Sequence, residues 1–322
     1  MTLSGGTTNT PRANGKGIHQ GDILKTSSAL AAATLRLEPH PGSRIDPTLA
    51  APATGNYSFA DDFEGGNFSL WNTDRLKGPW SATLVPSPGR SGSTAARFEL
   101  RPGDFLHDGY RSELKEKFYP VLESVQHYEI TSMISPDYPL DEGSVSLIHQ
   151  WHNVQDETKP VGFQYAREPV FASYYRCGSL EVYIKVLKDP SQYGSPAEFI
   201  EANYRANDQT DRGDLVGRIP DFRQGVWHDF VYQAKYSLTD GWLKGWIDGV
   251  PFVDYTGPLG YYDEPTGPYL KIGIYCKQEP RKPHIIFHDR YQHQQLAPGK
   301  SFSPNASGKV SVVGPRRSIF VG

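Results

Sequence analysis

From residue 95 onward, apolar and polar positions alternate in a series of short runs. "AARFELR", "RSELKEKF", "HYEITSMI", "SVSLIHQWH", "SLEVYIKVL", "WHDFVYQAKY", "GWLKGWIDGVPF", "YLKIGIYCK" and "HIIFHDR" all read with a period near two. That period marks strands with one buried face. Turn formers separate the runs, as in "SPGRSGS", "SPDYPLDEG", "LTDG" and "DEPTGP". One stretch predicts a minor helix: in "SPAEFIEANYRAN", Ser195 is an N-cap, Pro196 takes the first helical position and Glu198 completes a capping box. Many strands, long loops and one helix predict an all-β fold, a two-sheet antiparallel sandwich or jelly roll.

The ends of the chain read differently. Residues 1–54 are rich in Gly, Thr, Ala, Pro and Asn without a sustained period, which predicts a flexible N-terminal arm. The β domain is expected over 55–295. Residues 296–322 read as a tail, in which "KVSVV" and "SIFVG" each have the pattern of a short added strand. No run approaches a membrane span, and "MTLSGGTTNTPRANGKG" lacks the apolar stretch of a signal peptide. The net charge of −3 over 322 residues argues against nucleic acid as a partner. It also disfavours a densely sulfated polyanion, although a local basic cleft is compatible with it. Two cysteines, Cys177 and Cys276, cannot form a disulfide framework and read as free thiols ahead of a single bridge.

Three runs share a chemistry once their faces are separated. In "RSELKEK", Arg111, Glu113, Lys115 and Lys117 line one face, with Ser112, Leu114 and Glu116 on the other. In "IHQWH", Gln150 and His152 share a face with Ile148, while His149 and Trp151 point oppositely. In "YLKIGIYCK", Tyr269, Lys271, Gly273, Tyr275 and Lys277 oppose the apolar Leu270, Ile272, Ile274 and Cys276. A half-solvated antiparallel sheet is the ordinary explanation of such a face. Phenols alternating with ammoniums around a glycine also suit an anionic sugar chain, with rings to lie along the sugars and cations for their carboxylates. His149 and His152 lie on opposite faces of a strand, so a shared metal is not expected. His149, Trp151 and Cys276 are expected in the core, His228 in a structural role, and the Trp-rich "GWLKGWIDG" as sandwich packing.

With these residues in view, the sequence resembles the jelly-roll polysaccharide lyases of the heparin lyase I and glucuronan lyase type. It shares a motif trio with the jelly-roll alginate lyases, here "RSEL" at 111–114, "QWH" at 150–152 and "YLKIGIYCKQ" at 269–278. "DDFEGGNFSLW", "GVWHDFVYQAKYS" and "GWLKGWIDGVPF" are further marks, and the likeness covers roughly residues 57–293. The resemblance implies a concanavalin A-like sandwich with a concave substrate cleft and an anionic polysaccharide substrate. A monomer and an extracellular setting are expected beside it, with non-standard export, an intracellular role or an incorrect start codon as the alternatives that the missing signal peptide leaves open. It implies that Arg111 and Gln150 hold a uronate carboxylate and that His152 and Tyr275 move protons. Glu113, Lys115, Tyr269, Lys271 and Lys277 or Gln278 would contact the polymer.

The chemistry asks for such groups. Removing the C5 proton of a uronic acid and expelling the 4-linked oxygen needs a neutralised carboxylate, a base and an acid. Arg111 offers a bidentate donor. A tyrosine is a poor base unless cations favour its phenolate, a bias that Lys271 and Lys277 are expected to give Tyr275. No cofactor is required for this chemistry. A structural Ca²⁺ held by Asp62, Glu64 and Asp289 is a separate expectation, because first and last strands are often neighbours and carboxylates suit that ion. Ordinary alternatives stand beside each role: an Arg111–Glu113 salt bridge, a structural His152, and Tyr275 as a sugar platform. Two other functions compete, a non-catalytic carbohydrate-binding module and a glycoside hydrolase. The hydrolase would carry paired carboxylates, and no Glu-x-Asp-x-Glu run is present.

Overall fold

The computed structural model describes residues 57–140, 145–154, 169–187, 195, 213–262 and 264–296. Two antiparallel sheets form a sandwich. The larger runs β13 (Val250–Thr256), β12 (Trp242–Ile247), β11 (Trp227–Lys235), β5 (Val125–Ile134), β16 (His284–Leu296), β3 (Thr94–Leu100) and β2 (Ala82–Pro86), with β1 (Tyr57–Asp61) also on β16. The smaller runs β10 (Asp214–Ile219), β8 (Ser179–Ile184), β7 (Pro169–Arg176), β6 (Val145–His152), β15 (Tyr269–Cys276) and β4 (Tyr110–Lys115). A two-residue parallel pair joins β9 (Val186–Leu187) to β14 (Gly260–Tyr261). No helix occurs among the described residues, and the helix predicted from Ser195 lies outside them apart from Ser195 itself. The predicted N-terminal arm and C-terminal tail also fall outside.

The alternation in the sequence becomes the layering of the fold. Leu270, Ile272, Ile274 and Cys276 of β15 join Leu114 of β4 and Trp151 of β6 in the main core. Trp151 stacks on Phe171 with centroids 3.9 Å apart and meets Tyr128 and Tyr232 of the opposite sheet edge-on. Both cysteines are free, Cys177 exposed and Cys276 buried.

Two faces depart from the prediction. In "GWLKGWIDG", Leu243 and Ile247 fill the core, and Trp242 and Trp246 at the alternate positions are only half-buried on the opposite face. In β6, strict alternation would set Ile148 beside Gln150. A bulge intervenes, because Leu147 pairs Tyr174 and Tyr275 whereas His149 pairs Ser173 and Ile272. Ile148 and His149 therefore both turn inward, and Leu147 takes the outward face with Ala172, Tyr174 and Tyr275.

The matching irregularity on β15 is at Gly273, which has φ 126. A Cβ there would collide with the Ser112 carbonyl oxygen and stand 2.8 Å from Glu113 Cα. Only glycine lets β4 close on β15 at this point. His149 completes the interior. Its Nε2 is 3.0 Å from Ser132 Oγ, which is 2.8 Å from His288 Nδ1. Burial pushes His288 down to about 3, and burial together with His288 holds His149 well below its usual value.

Gly273→Ala should lose at least about 2 kcal/mol of stability by chemical denaturation, from a positive φ plus overpacking. The histidine pair predicts acid sensitivity. The unfolded chain takes up these protons near pH 6.5 and the folded chain does so only far lower, so stability is full above pH 6.5 and falls as pH drops toward 3. The slope reaches about 1.4 kcal/mol per pH unit for each histidine. Urea midpoints at pH 7 and pH 5 check this, and equal midpoints would show that the imidazoles accept protons inside the fold.

Candidate active site

β15 lies between β6 and β4, and its register brings the three motifs into one patch. Tyr275 stands opposite Arg111, Gly273 opposite Glu113, and Lys271 between Lys115 on one side and Gln150 on the other. Tyr269 stands opposite His152. All of these side chains take the outward face of the smaller sheet, as the alternation predicts. Arg111, Glu113, Lys115, Gln150, Tyr269 and Lys271 are nevertheless buried. Cations dominate: Arg111 and Lys271 flank Glu113, the one carboxylate on this face of the three strands, and Lys115 stands opposite Lys271. Glu116 turns inward, accepting from Tyr291 Oη at 2.7 Å and His293 Nδ1 at 2.8 Å.

The centre of the patch is held by hydrogen bonds. Arg111 Nη1 donates to Glu113 Oε2 at 3.3 Å, and its Nη2 donates to the His107 carbonyl at 2.7 Å. Gln150 Nε2 donates to Glu113 Oε1. Lys271 Nζ lies 3.8 Å from Glu113 Oε2. Glu113, expected to contact the polymer, is instead enclosed by its own neighbours. The salt bridge that served as the ordinary explanation of Arg111 and Glu113 exists.

The two ends of the patch differ. At one end the Arg111 guanidinium lies 4.7 Å from the Tyr275 ring centroid, and Gly109 approaches the same ring so closely that a Cβ would collide with it. At the other, His152 stacks on Tyr269 at 5.5 Å, and Lys115 Nζ sits 4.8 Å from the Tyr269 centroid. Six positions of β15 separate Tyr269 from Tyr275.

Protonation follows from these surroundings. His152 Nδ1–H donates to the Asn153 carbonyl at 3.1 Å. Burial, then the Lys271 charge, depresses the imidazole well below its usual 6.5. The ring is therefore neutral, with the Nε2 lone pair free of a proton. Burial also raises the Tyr275 phenol above 10.0, while Arg111 and Lys277 pull it down. Burial wins. The expected cationic bias toward phenolate is thus corrected: Arg111 and Lys277 supply the cations, Lys271 belongs to the Tyr269 end, and the resting group is a phenol. Lys271 itself is pushed well below the usual lysine range by burial, against the pull of Glu113 and with Arg111, Arg75 and Lys115 adding to the push.

Other expected residues stand apart. Lys277 and Gln278 follow the end of β15 and are exposed. Lys117 donates to the Ser69 carbonyl at 2.8 Å, away from the patch. His228 is structural, its Nδ1 2.6 Å from Asp248 and its ring on Phe222. The calcium carboxylates do not gather. β1 and β16 are neighbours as expected, but Asp289 accepts from Arg90 at 2.9 Å and Ser87 at 3.0 Å, Glu64 from the Thr94 N–H at 2.6 Å, and Asp62 from the Glu64 N–H at 3.1 Å. Among the described residues no three His, Cys, Asp or Glu side chains form a metal-binding group, so these residues do not fit the ion.

The structure adds residues that the alternation did not single out. Buried Arg75 sits on a segment bridged to β4, its carbonyl accepting the Glu113 N–H at 3.3 Å, and its charge reaches His152, Tyr269 and Lys271. It lies outside every alternating run, so no periodic signal marks it. Tyr174 and Tyr183 meet edge-on at 5.2 Å farther along the same face. Tyr183 alternates with Val182 and Ile184 in "SLEVYI", a signal that was available.

The sequence model of a family described as "Polysaccharide lyase" matches residues 63–292. Among solved structures, an endo-β-1,4-glucuronan lyase from the fungus Trichoderma reesei superposes with a TM-score of 0.53 at 17% identity, over 73% of this chain and 94% of that one. The alginate lyase AlyC3 in complex with dimannuronate gives 0.44 at 13% identity, over 64% and 79%. A search of curated proteins gives no match. The glucuronan lyase likeness establishes the jelly-roll fold, and the family match spans β2 through most of β16 with all three motifs between. The chain belongs to the polysaccharide lyase family and is a polysaccharide lyase.

Proposed function

We propose that the protein cleaves a 4-linked, uronic-acid-containing polysaccharide by β-elimination, with glucuronan or alginate favoured over heparin. The observation that carries this reading is the register of β6, β15 and β4, which sets Arg111, Gln150, His152 and Tyr275 on one cation-rich face, with the imidazole neutral and the phenol protonated. Arg111, with Gln150 beside it, neutralises the uronate carboxylate and so lowers the cost of the C5 carbanion. His152 Nε2 takes the C5 proton. The C5 electron pair forms the C4–C5 double bond, the C4–O4 bond breaks, and the Tyr275 phenol gives its proton to the departing oxygen. None of these steps calls on a metal or cofactor.

The near-neutral charge supports an unsulfated polymer. Glucuronan, the polymer in the name of the structurally similar fungal enzyme, is the first to try. A polymer of this size is met outside the cell, which supports an extracellular site of action. The single carboxylate on the patch speaks against a hydrolase, which needs two.

Incubation with glucuronan, alginate and heparin should release unsaturated uronate, read by ultraviolet absorbance, from at least one unsulfated polymer. Reducing ends without absorbance would replace elimination by hydrolysis. Tyr275→Phe and His152→Ala should each slow turnover about 100-fold or more, and near-normal turnover in either removes that residue from its role. The pH profile offers a further check. A base depressed below 6.5 and an acid raised above 10.0 set the acid limb of kcat/KM below pH 6.5 and the alkaline limb above pH 10. An acid limb above pH 7 would contradict the neutral, half-buried His152.

A further inference from the structure

Glu113 poses a problem that the elimination reading does not answer. A carboxylate at the middle of a site for a uronate should repel its substrate. Its surroundings suggest why it is there. Its side chain is 2% exposed, and both oxygens are occupied, Oε1 by Gln150 Nε2 and Oε2 by Arg111 Nη1 at 3.3 Å, with Lys271 Nζ 3.8 Å away. These donors are the groups assigned to the substrate's carboxylate. Two anions can share them only from opposite sides.

The donor inventory allows such sharing. A guanidinium carries five N–H donors and a primary amide two. Arg111 spends Nη1 on Glu113 and Nη2 on the His107 carbonyl, and its buried Nε–H has no hydrogen bond. Gln150 spends one amide N–H on Glu113 and retains the other. A buried donor left without a partner is destabilising, and a carboxylate that reached it would relieve that.

We propose that Glu113 is a positioning residue, whose carboxylate holds Arg111 and Gln150 from behind so that Arg111 Nε–H and the second Gln150 N–H stand ready for the uronate carboxylate. The proposal rests on the elimination reading and names how its clamp is built. Glu113 does not touch substrate. It acts through donors whose orientation is set before substrate arrives.

The test is Glu113→Gln, which keeps shape but removes the charge and turns an amide N–H toward Arg111 or Lys271. Turnover should fall about 100-fold through misorientation, with KM nearly unchanged. The alkaline limb of kcat/KM should also move to lower pH. Tyr275 faces Arg111 and Glu113 from β4 and Lys277 beyond its own strand end. Burial does most to hold its proton on, and the charge of Glu113 adds to that with a smaller push from Cys276, so removing the Glu113 charge lets the phenol ionise earlier. A purely structural role would lower the melting temperature and leave the limb in place. A rise in KM at constant kcat would mean that Glu113 binds substrate, and unchanged kcat with an unchanged limb would equally overturn the proposal. Should the glutamine variant fail to fold, Glu113→Asp keeps the charge and retracts it by one methylene, predicting the loss of turnover without the shift of the limb; full turnover there would refute it. An independent readout needs no substrate: the Arg111 Nε–H signal in side-chain nitrogen NMR should be narrow in the wild type and broadened in Glu113→Gln. Equal widths would sink the positioning role even if the polymer tests had misidentified the substrate.

Discussion

One hydrogen-bond ladder decides where the reacting groups stand. β15 is paired along both edges, to β6 on one side and β4 on the other. Side chains on adjacent antiparallel strands come within reach only when they stand directly opposite or on a near diagonal. A slip of one residue on either edge would send Lys271 and Tyr275 into the core and bring Ile272 and Ile274 outside. The buried apolar row of β15 forbids that slip, so the hydrophobic effect, acting on the inner face, enforces the chemistry of the outer one.

The inner face also anchors the outer residues one by one. Behind Arg111 and Glu113, Ser112 donates to the Ser81 carbonyl at 2.5 Å. Next to Gln150 in the chain, His149 reaches across the sandwich to Ser132. Beside Tyr275, Cys276 Sγ lies 3.0 Å from Ser146 Oγ, which also takes the Tyr138 hydroxyl at 2.5 Å and meets His284 Nδ1 at 3.0 Å. Burial pushes the Cys276 thiol up to about 12, so it stays a thiol and serves as packing and hydrogen-bond partner. Buried polar groups of this kind fix a single arrangement because any other would leave them unsatisfied.

The parts of the fold readable in the sequence are those governed by period two. Arg111, Gln150, Lys271, Tyr275 and their apolar opposites took their places because alternation alone assigns a face. Ile148 did not, since the bulge depends on Gly273 adopting a backbone that a pattern of polarity cannot encode. Trp242 and Trp246 were misplaced for a different reason: their size suggested the core, whereas parity with Leu243 had already assigned them outside. The tendency of Tyr275 to keep its proton was hidden because burial is a property of the assembled face and not of the strand. Asp62, Glu64 and Asp289 were grouped by strand adjacency, but Asp62 accepts from the nearby Glu64 N–H, and the serine, threonine and arginine partners of Glu64 and Asp289 come from the 87–94 segment, whose approach no local signal announces.

The strand order has a bearing on how the molecule is made. β15 enters between strands laid down more than a hundred residues earlier, and β16 separates β5 from β1 and β3 in the other sheet. Until residues 269–296 have left the ribosome, each sheet exists as two halves with open inner edges. Such edges invite pairing with other chains, and closing them demands contacts between distant parts of the sequence, which slows folding. The same late insertion that completes the patch also seals both sheets, so a nascent chain acquires its chemistry and its protection from aggregation in one step.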